Sequence, residues 1–299
     1  MDRAQGNGAR PSPDVPTDMP ETDRGAAGKR CVLSFAGLDN TAGAGLLADI
    51  KTFELFDLYG LGVPTAITVQ TPDSVLEVSC CSAGRMRRSL ETMLGSCKVL
   101  GIKTGLLCDE AAIDVLSSAL RSRFEGILIV DPVLHSSDGK QLITPRGRLA
   151  MSENLFLMAD VITPNIDEAG LLARRTIKSR ADVHDCAKRL CQMGPKSVVI
   201  TGSGRFGGED FFFDGSEGYF IPGQTGLASS VEKVSVHGTG CFYSASLLSL
   251  LVLGKGLREA ATKAKFLTEK AILTSLELEG QRSRLIDHSA VRQFILECV

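Results

Sequence analysis

From Cys31 onward, short apolar runs alternate with longer stretches in which apolar residues return at helical spacing. Cys31 to Ala36 reads as a strand ending at Gly37, and a glycine-rich turn then opens a helix over about Ala44 to Asp57. Gly62 to Gln70, rich in Val, Ile and Thr, is the next strand; Arg85 to Cys97 is helical and Val99 to Leu106 extended. A helix near Glu110 to Arg123 leads to the apolar strand Gly126 to Val130, closed by Asp131-Pro132. Further helices are predicted near Arg146 to Met158, Asp167 to Ala173 and Ala181 to Met193, with strands at Asp160 to Thr163 and Lys196 to Thr201. Phe211 to Ile221 breaks the alternation and reads as a hairpin turning at Asp214-Gly215. The C-terminal third is helical over Thr239 to Leu253, Leu257 to about Leu276 and Asp287 to Glu297. Strand-then-helix order with continuous apolar strands predicts an α/β fold: a mainly parallel central sheet, helices on both faces and a small antiparallel flanking hairpin.

Composition narrows this picture. Hydrophobic residues form 43% of the 299, enough for a large core, and a formal net charge of −2 argues against a nucleic-acid or anionic-membrane surface. No apolar run is long enough to span a bilayer. Residues 1 to 29 carry Pro11, Pro13, Pro16 and Pro20, mixed charges and no aromatic residue or secretory apolar core, and are expected to be a disordered tail ahead of one domain over 30–299. Nine scattered cysteines with no CxxC pair suggest free thiols in a reducing cytoplasm. His184, Asp185, Cys186 and Cys191 sit on an amphipathic helical pattern that places Cys186 in the core more readily than in a metal site.

The chemistry gathers where strands end. His237-Gly238-Thr239-Gly240-Cys241 is a glycine turn opening a buried helix, so its free amides make an anion site and the helix start favours a thiolate at Cys241. Ser34 to Gly45 is a second such turn, with Asp49 and Lys51 on the helix it opens. Gln70 ends a strand with an amide able to donate and accept. Asn165 and Glu168, three apart, could hold magnesium through water or form a helix capping box, and both can be true at once. Gly202-Ser203-Gly204-Arg205-Phe206-Gly207 matches a dinucleotide fingerprint, but a strand rather than a helix follows it, so a loop beside a ligand is the better reading.

Taken in order, Ala36-Gly37-Leu38-Asp39 with Gly43 to Thr52, Lys103-Thr104-Gly105-Leu106-Leu107, Asp131-Pro132-Val133, Thr163 to Ala169 and His237 to Cys241 resemble the ribokinase superfamily. Within it the chain looks like the hydroxymethylpyrimidine/phosphomethylpyrimidine kinases of thiamine biosynthesis, over roughly residues 31–276. The resemblance implies ATP-dependent, magnesium-assisted phosphorylation of 4-amino-5-hydroxymethyl-2-methylpyrimidine and then of its monophosphate. It implies a pyrimidine pocket lined by Gly37, Asp49, Gln70, Leu106 and Val133, and an anion hole of Gly238, Thr239 and Gly240. Cys241 would be the catalytic base, Asn165 and Glu168 would organise magnesium, and Thr201, Gly202 and Gly204 would meet the nucleotide. A cytoplasmic homodimer joined through the hairpin region is the expectation that goes with the resemblance. A pyridoxal kinase sharing the cysteine, or a pyrimidine-binding protein without turnover, are the alternatives. The chain departs from the family at Asn40-Thr41-Ala42, at Thr201-Gly202-Ser203 where a lysine is usual, and at Glu279 to Arg284, where Arg282 or Arg284 could supply the charge.

Overall fold

The computed structural model describes residues 28–202, 208–223 and 235–299. The predicted tail up to Met1 therefore lies outside the described residues, save for Gly28 and Lys29, as does Gly204 with most of the glycine run around it.

The strands are β1 Cys31–Asp39, β2 Tyr59–Gln70, β3 Val75–Cys80, β4 Val99–Thr104, β5 Ile127–Val130, β6 Val161–Ile162, β7 Ser197–Ile200, β8 Asp210–Phe213 and β9 Gly218–Ile221. They form one sheet in the order β3-β2-β1-β4-β5-β6-β7-β8-β9. The inner strands from β2 to β7 pair in parallel; β3, β8 and β9 are antiparallel. The hairpin falls as predicted, at β8–β9, but β3 at the other edge was not predicted. Its residues are mostly exposed, so they carry no apolar run to announce a strand. A short parallel pair, β10 Val236–His237 with β11 Arg284–Leu285, also went unpredicted, being too short to show a period.

Among the described residues the helices are α1 Gly45–Leu55, α2 Ala83–Ser96, α3 Glu110–Arg123, α4 Pro145–Ala150, α5 Ile166–Ala173, α6 Arg180–Cys191, α7 Thr239–Val252, α8 Leu257–Leu273 and α9 His288–Leu296. Their starts are written in the sequence: Asp109 and Thr144 cap α3 and α4, Pro145 follows at the first turn, and Ser179 with Asp182 closes a capping box on α6. The single helix predicted near Arg146 to Met158 is instead α4 followed by a π turn, Met151–Leu155, and a 3-10 turn, Phe156–Met158.

Successive strand residues point to opposite faces, and the core divides accordingly. Leu33, Leu128, Val130, Ile162 and Val198 pack toward α2, α3, α5 and α6, whereas Val32, Ile129, Val161 and Val199 pack toward α1, α7, α8 and α9. Helix α7 is buried all round from Phe242 to Val252, which is why its sequence is apolar without amphipathic spacing. Each of Leu247, Leu248 and Leu250, fully enclosed, contributes about 1.5–3 kcal/mol of apolar burial. That burial fixes the N-terminus of α7 at the carboxyl ends of the strands. No helix among the described residues is long and apolar enough to cross a membrane.

Candidate active site

Strand order reverses between β1 and β4, and open α/β sheets offer a ligand crevice outside the carboxyl ends at such a point. A cavity of about 610 Å³ lies there, walled by the two glycine turns, the ends of β2 and β4 and the segments after β5 and β6. A larger, more open groove of about 1370 Å³ beside α4, α5 and α6 shares only Asp167 with it and gathers, besides that residue, only Ile166 of the motif residues. The smaller cavity is therefore the candidate site.

Its floor is backbone against backbone. Gly238 caps α7 at φ 87°, and a Cβ there would strike the carbonyl of Gly43 in the other turn. Gly45 starts α1 at φ 60° with the Gly37 carbonyl equally close. Only glycine combines that conformation with that approach. The turns are tied together by Asp39, which accepts from the amides of Thr41 (2.7 Å) and Ala44 (2.9 Å) and lies 2.8 Å from His237 Nε2. Burial works against the Asp39 charge, but the bonds from His237, Gln70 and Thr41 prevail and hold its pKa down to about 2. With Gly238 as the cap, Thr239, Gly240 and Cys241 are the first three residues of α7, whose amides lack helical partners.

Cys241 lines the cavity, half-buried, and its sulfur accepts the Gly45 amide at 3.3 Å. Here the predicted thiolate is corrected. Burial dominates and pushes the thiol up to about 12, although Lys103 and the Gly45 amide pull the other way. At neutral pH the resting group is a thiol.

Asp49 is also corrected. It does not line the cavity: it is wholly buried beneath the floor, accepting from Ser34 Oγ at 2.6 Å and Lys103 Nζ at 2.7 Å. Burial pushes its carboxyl up against the pull of Lys103. Lys103, equally buried, lies 3.7 Å from Asp131, which accepts from Ser244 of α7 at 2.9 Å. Burial opposes the ammonium charge too, yet Asp49, Cys241 and Asp131 hold Lys103 protonated above the usual lysine range. The family resemblance implied Asp49 at a ligand; a partner fifty-four positions later in β4 turns it inward.

On the far wall, Asn165 and Glu168 form the capping box: Asn165 Oδ1 accepts the Glu168 amide and Glu168 Oε2 the Asn165 amide, both at 2.9 Å. Glu168 Oε1 also accepts from Leu134 N at 3.2 Å. Burial, then the neighbouring Asp131, raise Glu168 to about 8. Thr163 Oγ1 is buried on the same wall and has no partner among the described residues. Among the described residues no three acidic, histidine or cysteine groups converge as a direct metal cage.

Gly37, Gln70, Leu106, Val133 and Thr201 all reach the cavity, as do Gly238, Thr239, Gly240, Asn165 and Glu168. Gln70 is pinned by Asn40, which bonds both its amide (2.8 Å) and its carbonyl (3.1 Å), and Gln70 Nε2 lies 3.4 Å from His237 Nε2. Gly202 is not in the wall; its amide turns to Asp210 at 2.8 Å. Arg284 faces away, bonded to the Ser275 carbonyl and 3.2 Å from Glu277, while Arg282 is exposed and 3.8 Å from Asp73. The expectation of nine free thiols is corrected as well: Cys80 and Cys108 form a disulfide, their Cα atoms 6.0 Å apart, because the antiparallel turn into β3 brings them together. Asp39, His237, Asp73, Thr163 and Lys103 were not predicted as site residues. The first two stand inside the glycine motifs, and that was the available signal.

A family model described as phosphomethylpyrimidine kinase matches residues 39–285, the stretch that carries the turn before α7, most of the turn before α1 and every residue of the cavity wall except Gly37. The chain belongs to the phosphomethylpyrimidine kinase family. The hydroxymethylpyrimidine/phosphomethylpyrimidine kinase of Aquifex aeolicus is 34% identical over 257 residues, 85% of this chain and 98% of the relative. Among solved structures, the phosphomethylpyrimidine kinase of Clostridium difficile aligns with a TM-score of 0.71 at 28% identity, covering 82% of this chain and all of that one. The pyridoxal kinase of Staphylococcus aureus in complex with AMP-PCP and pyridoxal aligns with a TM-score of 0.76 at 29% identity, covering 88% and 95%. The mainly parallel sheet with its hairpin edge is thus the ribokinase-like fold of these kinases.

Proposed function

We propose that this protein is a phosphotransferase that moves the terminal phosphoryl group of ATP to the hydroxymethyl oxygen of 4-amino-5-hydroxymethyl-2-methylpyrimidine, and then phosphorylates the monophosphate, in thiamine biosynthesis. The observation that carries the reading is Cys241 within the first turn of α7, beside the free amides of the anion hole and facing the cavity that Gln70, Leu106 and Val133 line. The membership in a kinase family supports it.

In this reading Leu106 and Val133 pack on the pyrimidine, Gln70 reads its ring nitrogen and amino group, and Gly37 leaves room for the ring against Leu106. Gly238, Thr239 and Gly240 donate amides to the oxygens of the transferring phosphoryl group. The thiol loses its own proton to solvent, and the Cys241 sulfur then accepts the hydroxyl proton. The hydroxyl oxygen bonds to the γ-phosphorus as the bond to the leaving ADP oxygen breaks. In this reading Thr201, which lines the cavity, meets the nucleotide together with Gly202 and Gly204, and the bond from the Gly202 amide to Asp210 holds that end of the segment.

The wall fits magnesium held through water. Thr163 Oγ1 is an unpartnered buried acceptor beside Asp131, Asn165 and Glu168, and magnesium keeps most of its waters. Bound there, the ion would neutralise phosphate charge; Glu168 and Asn165 would orient its waters.

The pyridoxal reading has its own support, the alignment with a kinase solved with pyridoxal. Competition between pyridoxal and the hydroxymethylpyrimidine decides the preference. Transfer of labelled phosphate from Mg-ATP to the pyrimidine tests the leading reading, and a folded protein inert on every pyrimidine and pyridoxine substrate overturns it. A cytoplasmic homodimer goes with this reading. Its apolar contact would come from β2 and β3, where Ile67, Val69 and Leu76 are exposed, and not from the hairpin, whose Phe211, Phe212 and Phe213 are buried.

A further inference from the structure

An ion pair between β8 and α8 stands outside the cavity and performs no step above. Strands β7 and β8 pair antiparallel with Ile200 opposite Phe211, so Thr201 and Asp210 are the next residues outward, at the mouth of the connection between the strands. Asp210 is buried, and its Oδ1 accepts the Gly202 amide at 2.8 Å and Lys265 Nζ of α8 at 3.2 Å. The same ammonium donates to the Gly208 carbonyl at 2.5 Å. One pair thereby holds Gly202 and Gly208, six positions apart in the chain. The two sides of the mouth also meet directly: a Cβ on Gly202 would stand 1.8 Å from the Glu209 carbonyl oxygen, an approach only glycine permits. Glu269, one turn further along α8, lies 3.5 Å from the ammonium.

What the pair holds reaches the cavity. Thr201, next to Gly202, lines it. The Thr201 amide donates to the Pro164 carbonyl at 3.0 Å, and Thr201 bridges Asn165 in parallel register. Asn165 in turn closes the capping box with Glu168. Contacts thus run from Lys265 through Asp210, Gly202 and Thr201 to the Asn165 wall, although neither Lys265 nor Asp210 lines the cavity. A buried carboxylate is costly unless it is paired, so Asp210 can hold the Gly202 amide as an anion only with Lys265 beside it.

We propose that Asp210 and Lys265 are positioning residues for the nucleotide: they clamp both sides of the β7–β8 connection and so set where Thr201 stands against the Asn165 wall. The inference rests on the reading of Thr201 as a nucleotide contact and goes beyond it by naming what fixes that contact from outside the cavity. The ring end of the cavity is built on other strands: Gln70 ends β2, Leu106 follows β4 and Val133 follows β5. Loosening the clamp therefore separates the two ligands. It weakens the nucleotide and spares the pyrimidine.

Calorimetry on the full-length protein tests this, with Mg-ADP and the hydroxymethylpyrimidine as separate ligands. In Lys265→Met the Kd for Mg-ADP is expected to rise about fivefold or more, with that for the pyrimidine within about twofold of wild type. Under turnover the KM for ATP rises likewise while kcat is kept. If Lys265→Met does not fold, Asp210→Asn/Lys265→Met removes both charges together, and the same split is expected. A pair that only braced the fold would lower the thermal midpoint and leave both affinities of the folded protein unchanged. That result, or an equal loss for both ligands, overturns the proposal, as does a wild type with no affinity for Mg-ADP. The two readings fail separately: a wild type that binds both ligands yet transfers no phosphate ends the kinase reading and leaves the calorimetric split to decide the clamp.

Discussion

His237 Nε2 and Asp39 Oδ2 lie 2.8 Å apart, and this contact binds the turn after β1 to the turn before α7. In the proposed reading the anion hole comes from the second turn and the ring pocket takes Gly37 from the first, so the pair would set the distance between the two ends of the substrate.

Asp39→Ala would leave the Thr41 and Ala44 amides and the imidazole without their acceptor. A loss of roughly 2–4 kcal/mol in denaturant unfolding is expected, together with a higher KM for the pyrimidine. The folded carboxylate, held near 2, stays charged below the pH at which the unfolded one protonates. Its contribution is present above about pH 4 and fades as pH falls toward 2.

Glu168 works with the opposite sign. Raised to about 8, it favours the protonated folded state, so its contribution is whole below about pH 4.5 and is lost as pH climbs through 8. Thermal midpoints without magnesium should fall by several degrees between pH 6 and pH 9. Glu168→Gln keeps a neutral side chain throughout and should flatten that fall; a wild-type slope in the variant would show that another group titrates.

Ala42 occupies a left-handed conformation at φ 56°, in the turn where the chain departs from its family, and its carbonyl accepts from Lys51 at 2.9 Å. Ala42→Gly should stabilise the protein by about 0.5–1 kcal/mol in chemical unfolding, because relief of the side-chain clash outweighs the added freedom of the unfolded glycine.

The Cys80–Cys108 bridge spans 28 positions, and Cys108 packs with Ala66 and Leu106 at the ring end of the cavity. Cys80→Ser is expected to cost roughly 2–4 kcal/mol through the freer unfolded chain and to raise the pyrimidine KM. Dithiothreitol should reproduce both effects in the wild type and neither in the variant.

Strand-helix alternation, the glycine turns and most of the cavity wall were legible in the chain because each is a local pattern: an apolar run, a cap or a turn. What was hidden depends on pairs distant in sequence. Asp49 looked like a ligand contact until Lys103 appeared beneath it, and Cys241 looked activated by its helix until the cost of its burial was counted. Strand β3 was hidden for another reason: an exposed edge strand does not need apolar residues.

Asp73, in the turn between β2 and β3, accepts the backbone amides of Arg282 and Ser283 at 2.9 and 2.7 Å, while Arg284 N bonds Ser235 O beside β10. Early and late parts of the polypeptide thus close the same rim. A chain shortened before Arg282 keeps every strand of the nine-stranded sheet but loses the partners of Asp73. Such a chain would hold a folded sheet but an unfastened pocket, so folding and competence for a ligand can be separated within one polypeptide.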